Sequence, residues 1–173
     1  MAENSTAELG AGTWTLDAAA SSVGIQNKAM WGLATVKAAF PEVSGAGETL
    51  ADGTGRGTLT VNAASVASGK SKLDVHLRSA DFFDVETYPA FTFEADRVVP
   101  GAAGSAEVSG KLTILGKTQP LGFTARTSVT GPDEVTLSAD VTVDRNAFGM
   151  TWNRGGAIKG LTSVALVLRF TRD

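Results

Sequence analysis

Between residues 135 and 143 apolar and polar side chains alternate without a break: Val135, Leu137, Ala139, Val141 and Val143 are separated by Thr136, Ser138, Asp140 and Thr142. Successive side chains leave a pleated strand on opposite sides, so a period of two marks a β-strand with one buried and one solvated face. The same alternation runs through Val108, Gly110, Leu112 and Ile114, through Leu121, Phe123 and Ala125, and through Val164, Leu166, Leu168 and Phe170. Shorter versions place Trp14 and Leu16 on one strand, Val23 and Ile25 on the next and Val36 and Phe40 on a third. Leu59 and Val61 open another strand after a glycine-rich stretch, Gly45 to Gly57, that reads as a mobile loop, and Phe91 and Phe93 open one after Pro89.

Turn signals fall between these runs at Ala18 to Ala20, Pro100-Gly101, Leu115-Gly116-Lys117 and Thr130-Gly131-Pro132-Asp133. No segment is long enough to be a helical crossover between parallel strands, so the pattern predicts an all-β antiparallel meander of about eight to ten strands. A meander of that size must deal with its edges, and long strands joined by local hairpins favour closure into a barrel. Two segments interrupt the alternation. Ser79 to Glu86 carries a capping residue, adjacent aromatics and a proline just beyond, and predicts a short helix or turn ending before Pro89, with Asp81 as cap if helical; Asn146 to Gly160 reads as a long glycine-rich loop.

Composition removes whole classes of function. The chain of 173 residues has a formal net charge of -3, one histidine and no cysteine. One domain is the simplest organisation, with residues 1–12 as a flexible lead and 13–173 as the barrel. A near-neutral, mildly acidic chain lacks the basic surface that nucleic acid requires. Thiolate metal sites, disulfides and paired-histidine zinc centres are excluded, and no calcium-loop spacing occurs, so neither a metal nor a cofactor is expected. No apolar run approaches the roughly 20 residues needed to span a bilayer as a helix. The N-terminal residues have neither a basic start nor an apolar stretch, which reads as cytoplasmic.

The catalytic candidates are few. Gly116-Lys117-Thr118 lacks the earlier glycine of a phosphate loop, with Lys111 in its place, and sits between two strands. Gly53 to Gly57 lacks dinucleotide spacing and a following helix. His76 is the one candidate base, and if Asp74-Val75-His76-Leu77-Arg78 is extended, Asp74, His76 and Arg78 share a side. With no nucleophile or metal apparent beside it, a charged network pinning a strand end is the plainer reading, and no catalytic residue is assigned. What remains is the interior. An eight-stranded barrel is just wide enough to be filled by side chains or to hold one small ligand, and the inward face here is almost entirely aliphatic and aromatic. Small residues at Ala39, Gly110, Ala125 and Ala139 hint at room.

The run Leu73 to Asp84, followed by Tyr88-Pro89 and Phe91-Thr92-Phe93, closely resembles the signature of the YceI-like proteins. Gly110 to Thr118, Asp144-Arg145-Asn146-Ala147-Phe148-Gly149-Met150 and the opening Trp14-Thr15-Leu16-Asp17 with Ser21-Ser22-Val23 are similar to the same family, and the likeness spans about residues 13 to 171. This chain shows Lys28-Ala29-Met30-Trp31 where members commonly carry a histidine. The resemblance implies a lipocalin-like barrel with a hydrophobic tunnel for a polyisoprenoid or fatty-acid-derived lipid, no catalysis and, in many members, a homodimer. On that view the wall is formed by Val23, Ile25, Val36, Phe40, Leu59, Val61, Phe91, Phe93, Leu112, Ile114, Leu121, Phe123, Leu137, Val141, Leu166 and Leu168, with Phe82 and Phe83 closing one end. A polar head would meet His76, Trp152 or Arg154 at the mouth, with Lys28 and Asn153 nearby. Two other readings remain: a lipid-modifying enzyme using His76 and Asp74, and a ligand-free module with a packed interior that pairs through an exposed strand.

Overall fold

The structure, a computed structural model, describes residues 10–29, 34–150 and 158–173. Ten strands follow one another: β1 Gly12–Leu16, β2 Ser22–Ala29, β3 Ala34–Ala39, β4 Val43–Thr49, β5 Gly55–Asn62, β6 Ala90–Pro100, β7 Ser105–Ile114, β8 Lys117–Gly131, β9 Glu134–Asp144 and β10 Ile158–Arg172. Every strand pairing is antiparallel, in the order β1-β4-β5-β6-β7-β8-β9-β10-β2-β3, and β1 also pairs with β10. That last pairing closes eight strands into a barrel and leaves β2 and β3 as an extension.

The extension explains the shape. β10 is 15 residues long, and along one edge it pairs first with β2 and then with β1. The two short strands therefore act as one strand kinked at the 3-10 turn Ala18–Ala20. Arg169 of β10 pins the kink, its main chain accepting from Asp17 N at 2.8 Å and its guanidinium donating to Asp17 Oδ2 at 2.9 Å. β3 and β4 repeat the arrangement, β3 on β2 and β4 on β1. β4 goes on to pair with β5, whereas among the described residues the outer edge of β3 has only the bridge Ala39 to Ala67. One end of the barrel is thus closed by main-chain pairing, and at the other the segment 63–89 fills the gap.

The helix of that segment, α1, runs over Ser71–Arg78, and residues 79–86 form turns after it, so the helix lies one segment earlier than the sequence predicted. Leu73, Val75 and Leu77 fit a strand as well as a helix. In the structure Leu77 is buried and Leu73 packs on the same core while Val75 is 63% exposed, which only the helical period allows. Asp74 fixes the start of α1, accepting from Ser68 N at 2.9 Å and Ser68 Oγ at 2.6 Å beside the positive end of the helix. Asp81 is accordingly not a helix cap.

The glycine-rich stretch 45–57 is also corrected: it forms most of β4 and the start of β5 rather than a loop. A side chain at Gly45 would place its Cβ 2.8 Å from Thr58 O and 3.3 Å from Leu16 Cβ, so β1 and β5 close over it only because it has none. The turn at Leu115-Gly116, where the phosphate-loop pattern had been set aside, is a two-residue hairpin with both residues at positive φ. In the predicted loop after β9, Arg145–Phe148 form a 3-10 turn ended by Gly149 at φ 79°. Residues 151–157 and 1–9 lie outside the described residues.

Candidate functional site

The barrel interior holds a cavity of about 380 Å³. On β9 its wall runs from Val135 to Val143, eight residue steps or about 26 Å at roughly 3.3 Å per residue. On β10 it runs from Thr162 to Phe170. The register makes the wall continuous, because inward residues stand opposite one another across the ladders. Val164 pairs with Ile25 on one side and Val141 on the other, and Leu166 pairs with Val23 and Ala139. Phe93 likewise stands between Leu59 and Leu112.

All the apolar candidates named from the sequence line this cavity: Val23, Ile25 and Val36 with Phe40; Leu59 and Val61; Phe91 and Phe93; Leu112 and Ile114; Leu121 and Phe123; Leu137 and Val141; Leu166 and Leu168; and Phe82 and Phe83 after α1. The hints of room fare unequally. Ala125 and Ala139 are buried and line the cavity. Ala39 is exposed, and Gly110 serves the wall instead: a Cβ there would fall 2.1 Å from Glu94 O, where β6 shifts register around Asp96.

At the α1 end the space is stopped by aromatic packing. Phe40, Phe83 and Phe91 form a triangle with ring centroids 5.1 to 5.8 Å apart, two of the three contacts edge-on. Phe82, also buried, meets the His76 ring at 4.9 Å. His76 lines the cavity, and its Nε2 is 3.0 Å from Asp81 Oδ2. The expected partner was Asp74, on the premise that 74–78 is extended. Helix formation turns Asp74 away to Ser68 and brings His76 to Asp81 in the turn that follows. The head-group candidates Trp152 and Arg154, with Asn153, lie outside the described residues, as do Met30 and Trp31. Lys28 is exposed at the end of β2.

Sequence reasoning passed over Arg145 as a site residue. It follows the last residue of β9, is 5% exposed, and lines the cavity together with Phe148 and Met150. Its Nη1 donates to Met150 O at 2.9 Å, and its main-chain oxygen accepts from Met150 N at 3.1 Å, so the 3-10 turn folds back and holds the guanidinium. Burial pushes its pKa down, while the charge of Asp144 acts in the opposite direction. Asn27 and Thr162, paired in register on β2 and β10, join their side chains by a hydrogen bond and also line the cavity. A charged residue directly after a long alternating strand was the available signal, and the motif Asp144 to Met150 hid it among residues that resembled a loop. Among the described residues no group of three or more histidine, aspartate or glutamate side chains forms a metal site.

Comparison with known proteins bears on this architecture. A UPF0312 protein of Ectopseudomonas mendocina is 37% identical over 76 residues, which is 44% of this chain and 40% of that one. A UPF0312 protein of Pseudomonas putida is 33% identical over 98 residues, 54% of this chain and 51% of that one. The matches thus span about half the length of these relatives. Among solved structures, BcnA of Burkholderia cenocepacia superposes with a TM-score of 0.81 at 24% identity, covering 89% of this chain and 98% of that one. A polyisoprenoid binding domain from Saccharophagus degradans gives 0.74 at 16% identity over 92% and 98%. The YceI protein of Campylobacter jejuni gives 0.71 at 19% identity over 82% and 87%. These likenesses establish the fold. The model of the YceI-like domain matches residues 14–170, and the chain belongs to that family.

Proposed function

We propose that this protein binds and carries a long apolar chain inside its barrel and performs no chemistry on it. The carrying observation is the cavity itself, about 380 Å³, walled by inward apolar side chains from β1 and from β5 to β10. Its volume lies within the range of roughly 300–1,000 Å³ typical of small-molecule sites. Each methylene moved from water into such a wall gains about 0.8 kcal/mol, so ten of them supply roughly 8 kcal/mol before the cost of association is met. Membership of the YceI-like family and the likeness to a domain described as polyisoprenoid binding support the reading. The residues that line the cavity are the proposed contacts.

Native mass spectrometry of protein purified from cells, followed by lipid extraction, tests this. A retained apolar molecule is expected, and protein stripped of it should melt at a higher temperature when excess guest is restored, because a guest that binds only the folded state stabilises it. A chain that carries nothing and does not respond to any added lipid fails the proposal and returns the ligand-free module to first place.

The position of His76 favours one second reading, a lipid-modifying enzyme. A histidine beside a carboxylate at the wall of an apolar cavity has the parts of a proton-transfer pair. It requires that His76→Ala abolish turnover of a bound lipid while leaving its binding intact.

A further inference from the structure

We infer that residues 68–88 form a lid that swings as one body about Gly69 and Tyr88, and that a guest enters and leaves the cavity beneath it. The inference rests on the carrier reading and adds the route. A wall of antiparallel strands about 4.8 Å apart has no gap through which a chain can pass, so exchange takes place where pairing stops. At the β4–β5 end β1 is laddered to both β4 and β10. At the α1 end Leu73, His76, Leu77, Phe82 and Phe83 face the cavity, and all five come from one stretch of chain.

That stretch is bonded to itself. Its base is tied to the barrel, where Ala67 and Ala39 exchange main-chain bonds of 2.8 and 2.9 Å. Ala63 N donates to Pro89 O at 2.9 Å, which brings the two ends of the stretch together. Between those ties the main-chain bonds found among the described residues run within 68–88. Ser68 N donates to Asp74 Oδ1 at 2.9 Å, Phe83 N to Leu77 O at 2.9 Å, Val85 N to Arg78 O at 3.2 Å and Tyr88 N to Asp84 O at 2.8 Å, so α1 and the turns after it are one folded unit. Its inner face meets the barrel through apolar packing: Leu77, Phe82 and Phe83 are buried, Leu73 and Val85 lie against the same core, and His76 and Phe82 make further contacts. Segments closed on themselves in this way open as cooperative units.

Both ends suit a pivot. Gly69, two residues after the bridge, sits at φ 85°, and a Cβ there would meet nothing within 4 Å, so this glycine supplies backbone freedom and not space. At the other end Tyr88 Cε1 lies 2.9 Å from the position a Cβ of Gly116 would take, so the ring rests on bare backbone of the β7–β8 hairpin. Lids of this kind turn on a few loop residues that absorb the change in φ and ψ.

Hydrogen exchange and stopped-flow release of two intrinsically fluorescent apolar probes, cis-parinarate and retinol, into phosphatidylcholine vesicles test this on delipidated full-length protein. The protected amides of 71–85 are expected to exchange as one group, roughly tenfold faster than those of β8 and β9. Gly69→Ala puts a side chain at a left-handed position, strains the closed lid, and should raise both lid exchange and probe release about threefold, whereas Gly69→Asn, which tolerates that conformation, should stay close to wild type. Gly53→Ala imposes the same strain at φ 88° in the β4–β5 hairpin and should leave release unchanged. Tyr88→Ala frees the other pivot, should raise both rates as Gly69→Ala does, and decides the matter if Gly69→Ala does not fold. Release that responds to Gly53→Ala and not to Gly69→Ala moves the route to the opposite end and overturns the inference. It is overturned equally if release ignores a substitution that has quickened lid exchange, or if neither pivot substitution changes lid exchange. In each of these cases the probes still bind and the carrier reading stands; a protein that takes up neither probe ends both.

Discussion

At the β4–β5 end of the barrel, β1 lies between β4 and β10 and the ring is completed by main-chain hydrogen bonds, with Trp14 tied across to Thr49 through its indole nitrogen at 3.1 Å. At the α1 end the outer edge of β3 carries, among the described residues, a single bridge, and the opening is filled by side chains, with Phe40, Leu77, Phe82 and Phe83 buried among one another's neighbours. The first closure is distributed over many backbone pairs and tolerates loss of any one side chain. The second depends on shape, since apart from the Ala39–Ala67 bridge and a few bonds near residue 63 it is packing that holds the segment 63–89 against the cavity. A wall built by pairing and a plug built by packing give a barrel whose α1 end is the easier one to open. Local opening draws on regions with fewer paired backbone groups, and amides of α1 should exchange with solvent before those of β8 and β9.

The largest expected effect separates the two ends directly. Phe40 is 2% exposed and touches both Phe83 and Phe91, so Phe40→Ala removes a full ring from the plug and should cost about 3–5 kcal/mol. Trp14→Phe at the opposite end keeps an aromatic and loses one hydrogen bond, for a cost of about 1 kcal/mol. Urea denaturation of the two variants gives the comparison, and an equal loss from both would show that the plug is not the more vulnerable closure. An intermediate effect belongs to the wall between them. Gly110→Ala sets a methyl 2.1 Å from Glu94 O and 2.9 Å from Ala95 Cα, both backbone atoms that cannot swing aside, and should cost about 1–3 kcal/mol. If its denaturation midpoint equals that of the wild type, β6 and β7 yield more readily than a paired wall should.

The same division governs what could be read before the structure was known. The wall was legible because alternation survives wherever one face is buried and the other wet, and β7 to β10 carry bulky inward residues at nearly every second position. β4 escaped notice because its inward positions after Val43 are Gly45 and Gly47, which supply the strand with no apolar signal and exist for the close approach of its neighbours. The plug was legible in composition but not in geometry. Leu73, Val75 and Leu77 satisfy both periods, and only the burial of two of them against the exposure of the third selects the helix. Arg145 was missed for a different reason: its place after an alternating strand was visible, but its burial arises from the 3-10 turn folding back to Met150, which no spacing encodes.

A smaller effect tests whether the contact between His76 of α1 and Asp81 in the turn after it contributes to the plug. His76 and Asp81 have side chains 38% and 48% exposed, and pairs so open to water are worth at most about 1 kcal/mol. His76→Ala should therefore shift the denaturation midpoint little, in contrast to Phe40→Ala a short distance away. A loss comparable to that of Phe40→Ala would mean that the imidazole, packed edge-on against Phe82, is part of the packing that closes this end.

The smallest effect lies in the hairpin of the opposite end. Asp52 accepts hydrogen bonds from Thr54 Oγ1 at 2.7 Å and Thr54 N at 2.9 Å, and these hold its carboxyl below the ordinary carboxylate value. A carboxyl more acidic in the folded than in the unfolded chain contributes stability that is fully present above its unfolded pKa and disappears as pH falls through the folded one. Thr54→Ala removes the hydroxyl donor and leaves the backbone donor, so Asp52 should titrate at higher pH in the variant, toward the ordinary value. Carbon-detected NMR titration of the Asp52 carboxyl measures this directly. Any stability difference between the variant and wild type that comes from this bond should be present at neutral pH and shrink in acid, because protonation of Asp52 abolishes the same interaction in both proteins. Identical titration curves would show that the Thr54 hydroxyl adds nothing to the backbone donor in holding the Asp52 carboxyl.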